Sequence, residues 1–274
     1  MIIDCHVHTH RGKPPALRDC LAKMDAAGIG KIVLLSHHPQ SFCNAGWPDA
    51  VAPEAALRAA MAWAAESDRI IPFFWIDPLE DSAFDQVDRA VDAGIVGFKV
   101  ICNRFYPGED RPMQVFERIA AAGKPMLFHS GILYSGTPSS NYSRPANFEP
   151  LFFIPNLRFA LAHVSWPWHD ECLAVYGHWE NTKEKGMVSS EMFIDTTPGT
   201  PPIYREEVLR KIYTIGCGLE DNLLFGTDCS SNYDTEYAGE ILAMDKKALD
   251  AVGVSEENRA KYYEHNILRF LGKW

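Results

Sequence analysis

The sequence predicts a (β/α)8 TIM barrel spanning residues 1–274 as a single domain. Three observations carry that prediction. Short apolar, β-rich runs alternate with helix-sized segments eight times along the chain. The spacing from one strand end to the next is roughly 24 to 41 residues, about one βα unit each. No low-complexity linker or composition shift divides the 274 residues, a length that suits one barrel. The rival is a doubly wound open sheet, but the glycine-rich phosphate loops that usually accompany it, G-x-G-x-x-G and G-x-x-x-x-G-K-[ST], are both absent.

Taken in order, Ile2–Val7 is the first strand, and Pro15–Gly28 has helical periodicity through Leu17, Leu21 and Met24 before a glycine stop. Lys31–Ser36 is the second strand and Ala50–Glu66 an alanine-rich helix. Arg69–Ile76 is the third strand, although Pro72 sits awkwardly inside it. The helix Ser82–Ala93, the strand Ile95–Ile101, the helix Met113–Gly123 and the strand Pro125–His129 follow. Ser130–Pro150 is rich in Ser, Gly, Pro and Asn and reads as a long loop with at most a short helix beyond it. Leu157–His163 is the sixth strand, Trp168–Glu180 a helix and Met187–Asp195 the seventh strand. The helix Arg205–Gly216 leads to the eighth strand, Asn222–Asp228, and helical segments run from Gly239 to Leu271.

Composition narrows the function classes. The chain is 47% hydrophobic and 23% charged, ordinary for a globular protein with a sizeable core. A formal charge of −10 argues against nucleic-acid binding, which needs clustered Lys and Arg. No apolar run approaches the ~18 residues of a membrane span. The opening residues read straight into a strand, so no secretory leader is expected. The cysteines at 5, 20, 43, 102, 172, 217 and 229 include no C-x-x-C pair, which points to reduced, mostly buried thiols in a cytoplasmic protein.

In a barrel, functional groups gather at the C-terminal ends of the strands. The first strand ends in His6 and His8, two apart and therefore expected on one face, with Asp4 beside them and Ile3, Cys5 and Val7 opposite. The fourth strand carries Lys99, the fifth ends at His129, the sixth at His163 and the eighth at Asp228. Each alone has a plain structural explanation, such as a hydrogen bond to a loop carbonyl or a turn cap. Together, His6, His8, His129 and Asp228 supply three imidazoles and a carboxylate, a ligand set suited to Zn2+ or a similar divalent ion. His37 and His38 follow the second strand and read as loop residues at the same mouth.

The chain resembles the amidohydrolase superfamily, in particular its amidohydrolase-2 branch. The resemblance rests on Ile3-Asp4-Cys5-His6-Val7-His8, Gly97-Phe98-Lys99, Phe128-His129, Leu161-Ala162-His163 with Pro167-Trp168, Phe225-Gly226-Thr227-Asp228 and the closing Asn266–Gly272. It implies metal ligation by His6, His8, His129 and Asp228, and a role for His163 in orienting and polarising substrate and water. Lys99 matches a lysine that is carbamylated in binuclear relatives and contacts substrate or is dispensable in mononuclear ones; the branch points to one ion per chain. One departure stands out: Ser165 occupies a position where the family usually has glycine.

The expected activity is hydrolysis of an amide or lactone bond in a small, anionic compound. A divalent ion on neutral imidazoles lowers the pKa of water toward ~7, and Asp228 serves as general base and then acid. Lys99, Arg104, Tyr134 and Arg144 are the candidate substrate contacts. The alternative is decarboxylation of an aromatic or muconate-type acid on the same ligands; a metal-free lactonase-like or non-catalytic ligand-binding barrel is the remaining one. The expected partner is a small molecule, with homo-oligomerisation left open.

Overall fold

The computed structural model describes residues 1–10, 14–45, 50–136, 138–199 and 201–272, with the backbone alone at 43–45. Eight parallel strands follow one another around a nearly closed barrel in chain order. They are β1 (Ile3–His8), β2 (Lys31–Leu35), β3 (Ile70–Trp75), β4 (Gly97–Val100), β5 (Met126–Phe128), β6 (Arg158–Leu161), β7 (Glu191–Asp195) and β8 (Leu223–Leu224). Backbone bonds from Cys5 to the Phe225 carbonyl (2.9 Å) and from Asp228 to the His6 carbonyl (3.1 Å) bring the chain after β8 back against β1. The helices are α1 (Leu17–Ala27), α2 (Pro53–Glu66), α3 (Ala83–Asp92), α4 (Asp110–Ala121), α5 (His169–Glu184), α6 (Pro202–Thr214), α7 (Thr235–Val252), α8 (Glu256–Ala260) and α9 (Asn266–Phe270). Between β5 and β6 the described chain forms three-ten turns at Ser140–Ser143 and Pro145–Phe153 instead of an α-helix. No described helix is long and apolar enough to cross a membrane.

Strand alternation sorts the apolar residues into two layers. Ile3, Val33, Leu35, Phe73, Leu127 and Phe193 fill the barrel interior, and Phe270 of α9 packs into the same cluster, 5.3 Å ring to ring from Phe193. Ile32, Leu34, Phe98, Val100 and Phe128 face the surrounding helices. Pro72 fits its strand because the bond it makes toward β4, from Val96 N at 3.0 Å, uses its carbonyl and no N–H.

β1 does not keep strict alternation. Ile3 and Asp4 pair with Lys31 and Ile32, but Val7 and His8 pair with Leu34 and Leu35, so β1 holds one extra residue between Asp4 and Val7. This bulge shifts the phase of the strand by one. Cys5 therefore joins the interior cluster and Val7 the outer one. Asp4, expected beside the two histidines, instead reaches the segment after β8. It accepts from Thr227 N (3.1 Å), Thr227 Oγ1 (2.6 Å) and Tyr233 OH (3.0 Å).

Strand ends also differ from their sequence reading. β6 stops at Leu161, and His163, Val164 and Ser165 turn away with φ of 64°, 43° and 57°. Three successive left-handed residues, one of them β-branched, are costly. They are held by the Ser165–Ser130 hydroxyl pair (2.6 Å) and by the bond from Ile132 N to the Trp166 carbonyl (2.8 Å). The left-handed backbone at Ser165 also gives a reason why glycine would suit that position. β8 is only two residues long, because Asp4 takes the Thr227 amide and Asp228 has a φ of 61°. Six described cysteines are free thiols, of which only Cys217 is exposed; the side chain of Cys43 lies outside the described residues.

The end of β7 is tied to the outer helices by a buried polar network. Arg205 of α6 forms a two-pronged pair with Asp245 of α7 and donates to the Thr196 carbonyl at 2.6 Å. Tyr262, in a single π-turn before α9, donates to Asp245 at 2.8 Å and shares a 2.6 Å bond with the Thr196 hydroxyl. Removing one partner of such a pair strands the other charge in a dry environment. Asp245→Asn is expected to lower stability by about 3–5 kcal/mol, read as a drop in the urea midpoint; a change below ~1 kcal/mol would contradict this role.

Candidate metal centre and pocket

The bulge in β1 and the turn after β8 bring three ligand-type groups together. Nε2 of His6 lies 3.2 Å from Nε2 of His8, and Oδ1 of Asp228 lies 3.2 Å from the latter and 3.7 Å from the former. A ligand atom from each of the three residues falls within 4.8 Å of the other two. Two imidazole nitrogens and a carboxylate oxygen converging on one point can each offer an electron pair, the arrangement a divalent cation satisfies.

The surroundings keep these groups in the form that binds a cation. Asp228 is held well below the usual carboxylate range: burial opposes its ionisation, but the hydrogen bond from His8 and the nearby His6 and His163 outweigh it. His6 is fully buried. Its Nδ1 lies 2.7 Å from Oδ2 of Asp195, at the end of β7. Lys99, also fully buried, projects inward from β4 and places Nζ 3.3 Å from Nε2 of His6. Burial brings its ammonium down to about 8, so it remains mostly charged at neutral pH.

His129 and His163 stand beside this cluster. Their rings are 4.9 Å apart, and the His163 ring is 5.3 Å from that of His6. Nε2 of His129 faces the Ile132 carbonyl at 3.2 Å, and Nδ1 of His163 faces the Thr197 carbonyl at 3.3 Å. The loop after β7 can come this close to His163 because residue 199 is glycine; a Cβ there would sit 2.8 Å from the ring.

A cavity of about 160 Å³ opens onto these groups. Its floor is polar, with His6, His8, Lys99, His129, His163 and Asp228, whereas Ile101, Ile132, Leu133 and Trp166 supply an apolar wall. Of the residues expected to contact substrate, Lys99 and Tyr134 line the cavity. Arg104 and Arg144 are absent from the wall that the described residues form. Arg104 is paired with Asp77 at 2.7 Å, and Arg144 with Glu171 at 2.5 Å while its guanidinium covers the Trp168 ring. His38 is buried with Trp75 and Phe42, and His37 is also not on the cavity wall.

Asp195 was not singled out by the sequence reading, although the signal was present: it ends an apolar strand, as Asp228 was expected to do. What gives it a role is its contact with His6, 189 positions earlier in the chain, which no local pattern reveals.

The family model for amidohydrolases matches residues 3–273. No curated protein matches the sequence. Several solved structures share the fold. One is 5-carboxyvanillate decarboxylase from Sphingomonas paucimobilis, 15% identical with a TM-score of 0.67 over 99% of this chain and 98% of that one. Another is a probable 2-pyrone-4,6-dicarboxylic acid hydrolase from Acinetobacter baumannii with citric acid bound, 12% identical with a TM-score of 0.65 over 99% of both chains. A third is amidohydrolase 2 from Bifidobacterium longum subsp. infantis, 15% identical with a TM-score of 0.61 over 100% and 99%.

The buried imidazoles give a stability test. His6, His129 and His163 are all held below the ordinary value of 6.5, by burial first, with Lys99 adding to it. Below that value the unfolded chain takes up protons that the folded chain refuses, so stability is fully present above it and is lost on acidification. Asp4, whose carboxyl burial pushes up to about 7, works in the opposite sense, but as one group against three. The urea midpoint of chelator-treated protein is expected to fall between about pH 7.5 and about pH 5.5. A midpoint that stayed level or rose would contradict neutral buried imidazoles.

Proposed function

From membership of the amidohydrolase family, to which this chain belongs, we propose that it is a metal-dependent hydrolase acting on the amide or lactone bond of a small molecule. The observation that carries this reading is the convergence of His6 Nε2, His8 Nε2 and Asp228 Oδ1. These three hold one divalent ion, zinc by the chemistry of the donors, with His129 as a further ligand. When bound, the ion supplies Lewis acidity and brings water to its reactive form near neutral pH.

The rest of the chemistry belongs to the chain. Asp228 opens to the cavity, where it takes a proton from the attacking water and passes it to the leaving group. His163 also lines the cavity and polarises the carbonyl under attack. The wall of Ile101, Ile132, Leu133 and Trp166 excludes water from one side and receives the apolar body of the substrate. Lys99 and Tyr134 provide its polar contacts; Lys99 is placed to meet a single carboxylate or a developing negative charge.

A second reading, loss of carbon dioxide from an aromatic acid, is supported by the same pairing of one buried cation, Lys99, with an apolar wall. A carboxylated ring fits that combination, and a protein of this fold is a 5-carboxyvanillate decarboxylase. Product analysis in ¹⁸O-labelled water separates the two. Hydrolysis places the label in the product, whereas carbon dioxide released from an unlabelled ring replaces the first reading with the second. In either case Asp228→Asn at saturating zinc is expected to lower kcat by about 10²–10⁴-fold. Full turnover in that variant, with metal still bound, would remove Asp228 from the proton path.

A further inference from the structure

We propose that the end of β7, Asp195 to Thr197, is a positioning element that fixes the tautomer of both central imidazoles, His6 and His163. The inference rests on the reading of His6 as a metal ligand, but its first test is independent of metal. Asp195 is fully buried and has no place on the cavity wall, so it acts through His6 and not on substrate. Its two oxygens are divided. Oδ2 meets Nδ1 of His6 at 2.7 Å, while Oδ1 accepts from the Thr197 amide at 2.6 Å and from the Thr197 hydroxyl.

An ionised carboxylate can only accept hydrogen bonds. The proton of neutral His6 is therefore on Nδ1, which leaves the lone pair on Nε2. That atom faces Nε2 of His8 and the Lys99 ammonium, a pure donor. Two residues later the chain repeats the device. The Thr197 carbonyl, also a pure acceptor, faces Nδ1 of His163 at 3.3 Å and places the His163 lone pair on Nε2. One short segment thus assigns the same tautomer to both rings, as second-layer acceptors do at metal-bound histidines.

The segment is held in place from several sides. The Thr196 amide donates to the Leu224 carbonyl at 3.0 Å and its hydroxyl to Tyr262, and Arg205 donates to the Thr196 carbonyl. Gly226 lets Thr197 and β1 close together, since a Cβ there would lie 2.4 Å from the Thr197 hydroxyl and 3.2 Å from Cβ of His6. This packing, which also joins β7 to β8, holds two acceptors against two rings.

Asp195→Asn is the decisive variant because it changes a hydrogen-bond code while keeping the shape. The carboxamide oxygen must stay at the Oδ1 position to accept from the Thr197 amide, which turns the NH2 group toward Nδ1 of His6. That ring must then carry its proton on Nε2, as in the aspartate-to-asparagine change of a Ser-His-Asp triad, where a wrong tautomer results. The readouts are the ring-nitrogen spectrum of ¹⁵N-histidine-labelled, chelator-treated protein and zinc affinity by competition with a chromophoric chelator. In the unaltered protein, His6 and His163 should both show a protonated Nδ1. In Asp195→Asn, the His6 proton should move to Nε2 and zinc affinity should fall about 10–100-fold, while His163 and the circular dichroism spectrum remain unchanged. A proton on Nε2 of either ring in the unaltered protein would overturn the proposal even if the variant failed to fold. So would a folded variant with its tautomer and zinc affinity intact. Failure of the unaltered protein to bind zinc, with both tautomers as stated, would instead count against the metal-dependent reading alone.

Discussion

One extra residue in β1 determines what this barrel can do. With strict alternation, a strand that buries Ile3 and Cys5 in the interior would send His6 and His8 outward among the helices. The bulge between Asp4 and Val7 lets the strand keep Cys5 inside and still turn both histidines to the mouth. The same shift frees Asp4 to face outward, where three groups from the segment after β8 donate to it. Those bonds end β8 early and release Asp228 into the turn that meets His8. The placement of His6 and His8 at the mouth and barrel closure behind them are two results of a single irregularity.

The pocket built on that frame is asymmetric. Its ionisable groups gather with the imidazoles at one side, and the apolar wall is made by Ile101, Ile132, Leu133 and Trp166, which follow β4, β5 and β6. Arg104 and Arg144, the strongest candidates for binding a multiply charged acid, are occupied by Asp77 and Glu171. Lys99 remains as the cation on the cavity wall among the described residues. Because a buried ammonium binds a carboxylate far more strongly than an exposed one, one such group suits a substrate with one negative charge and an apolar remainder.

The parts of the molecule that repeat were legible in the sequence. Eight apolar runs at βα spacing predict the barrel, and the rule that function gathers at strand ends points to His6, His8, Lys99, His129, His163 and Asp228, all of which line one cavity. The parts that break a period were not. The bulge in β1 leaves no mark in a six-residue run, so Asp4 was placed on the wrong face. Val164, in the left-handed turn after β6, has φ of 43° although its side chain disfavours that region, so nothing local announces the turn. Exposed-looking arginines in a loop give no hint of whether a carboxylate will claim them first. Asp195 fell between these cases: its position at a strand end was visible, but its function depends on a contact 189 positions away.

The central claim is that His6, His8 and Asp228 form a divalent-metal centre. Anomalous diffraction at the zinc edge from crystals grown with zinc tests it most directly. The account predicts a single strong peak bonded to His6 Nε2, His8 Nε2 and Asp228 at about 2.0–2.2 Å. Zinc bound only elsewhere on the chain, with those three groups unchanged, would contradict it.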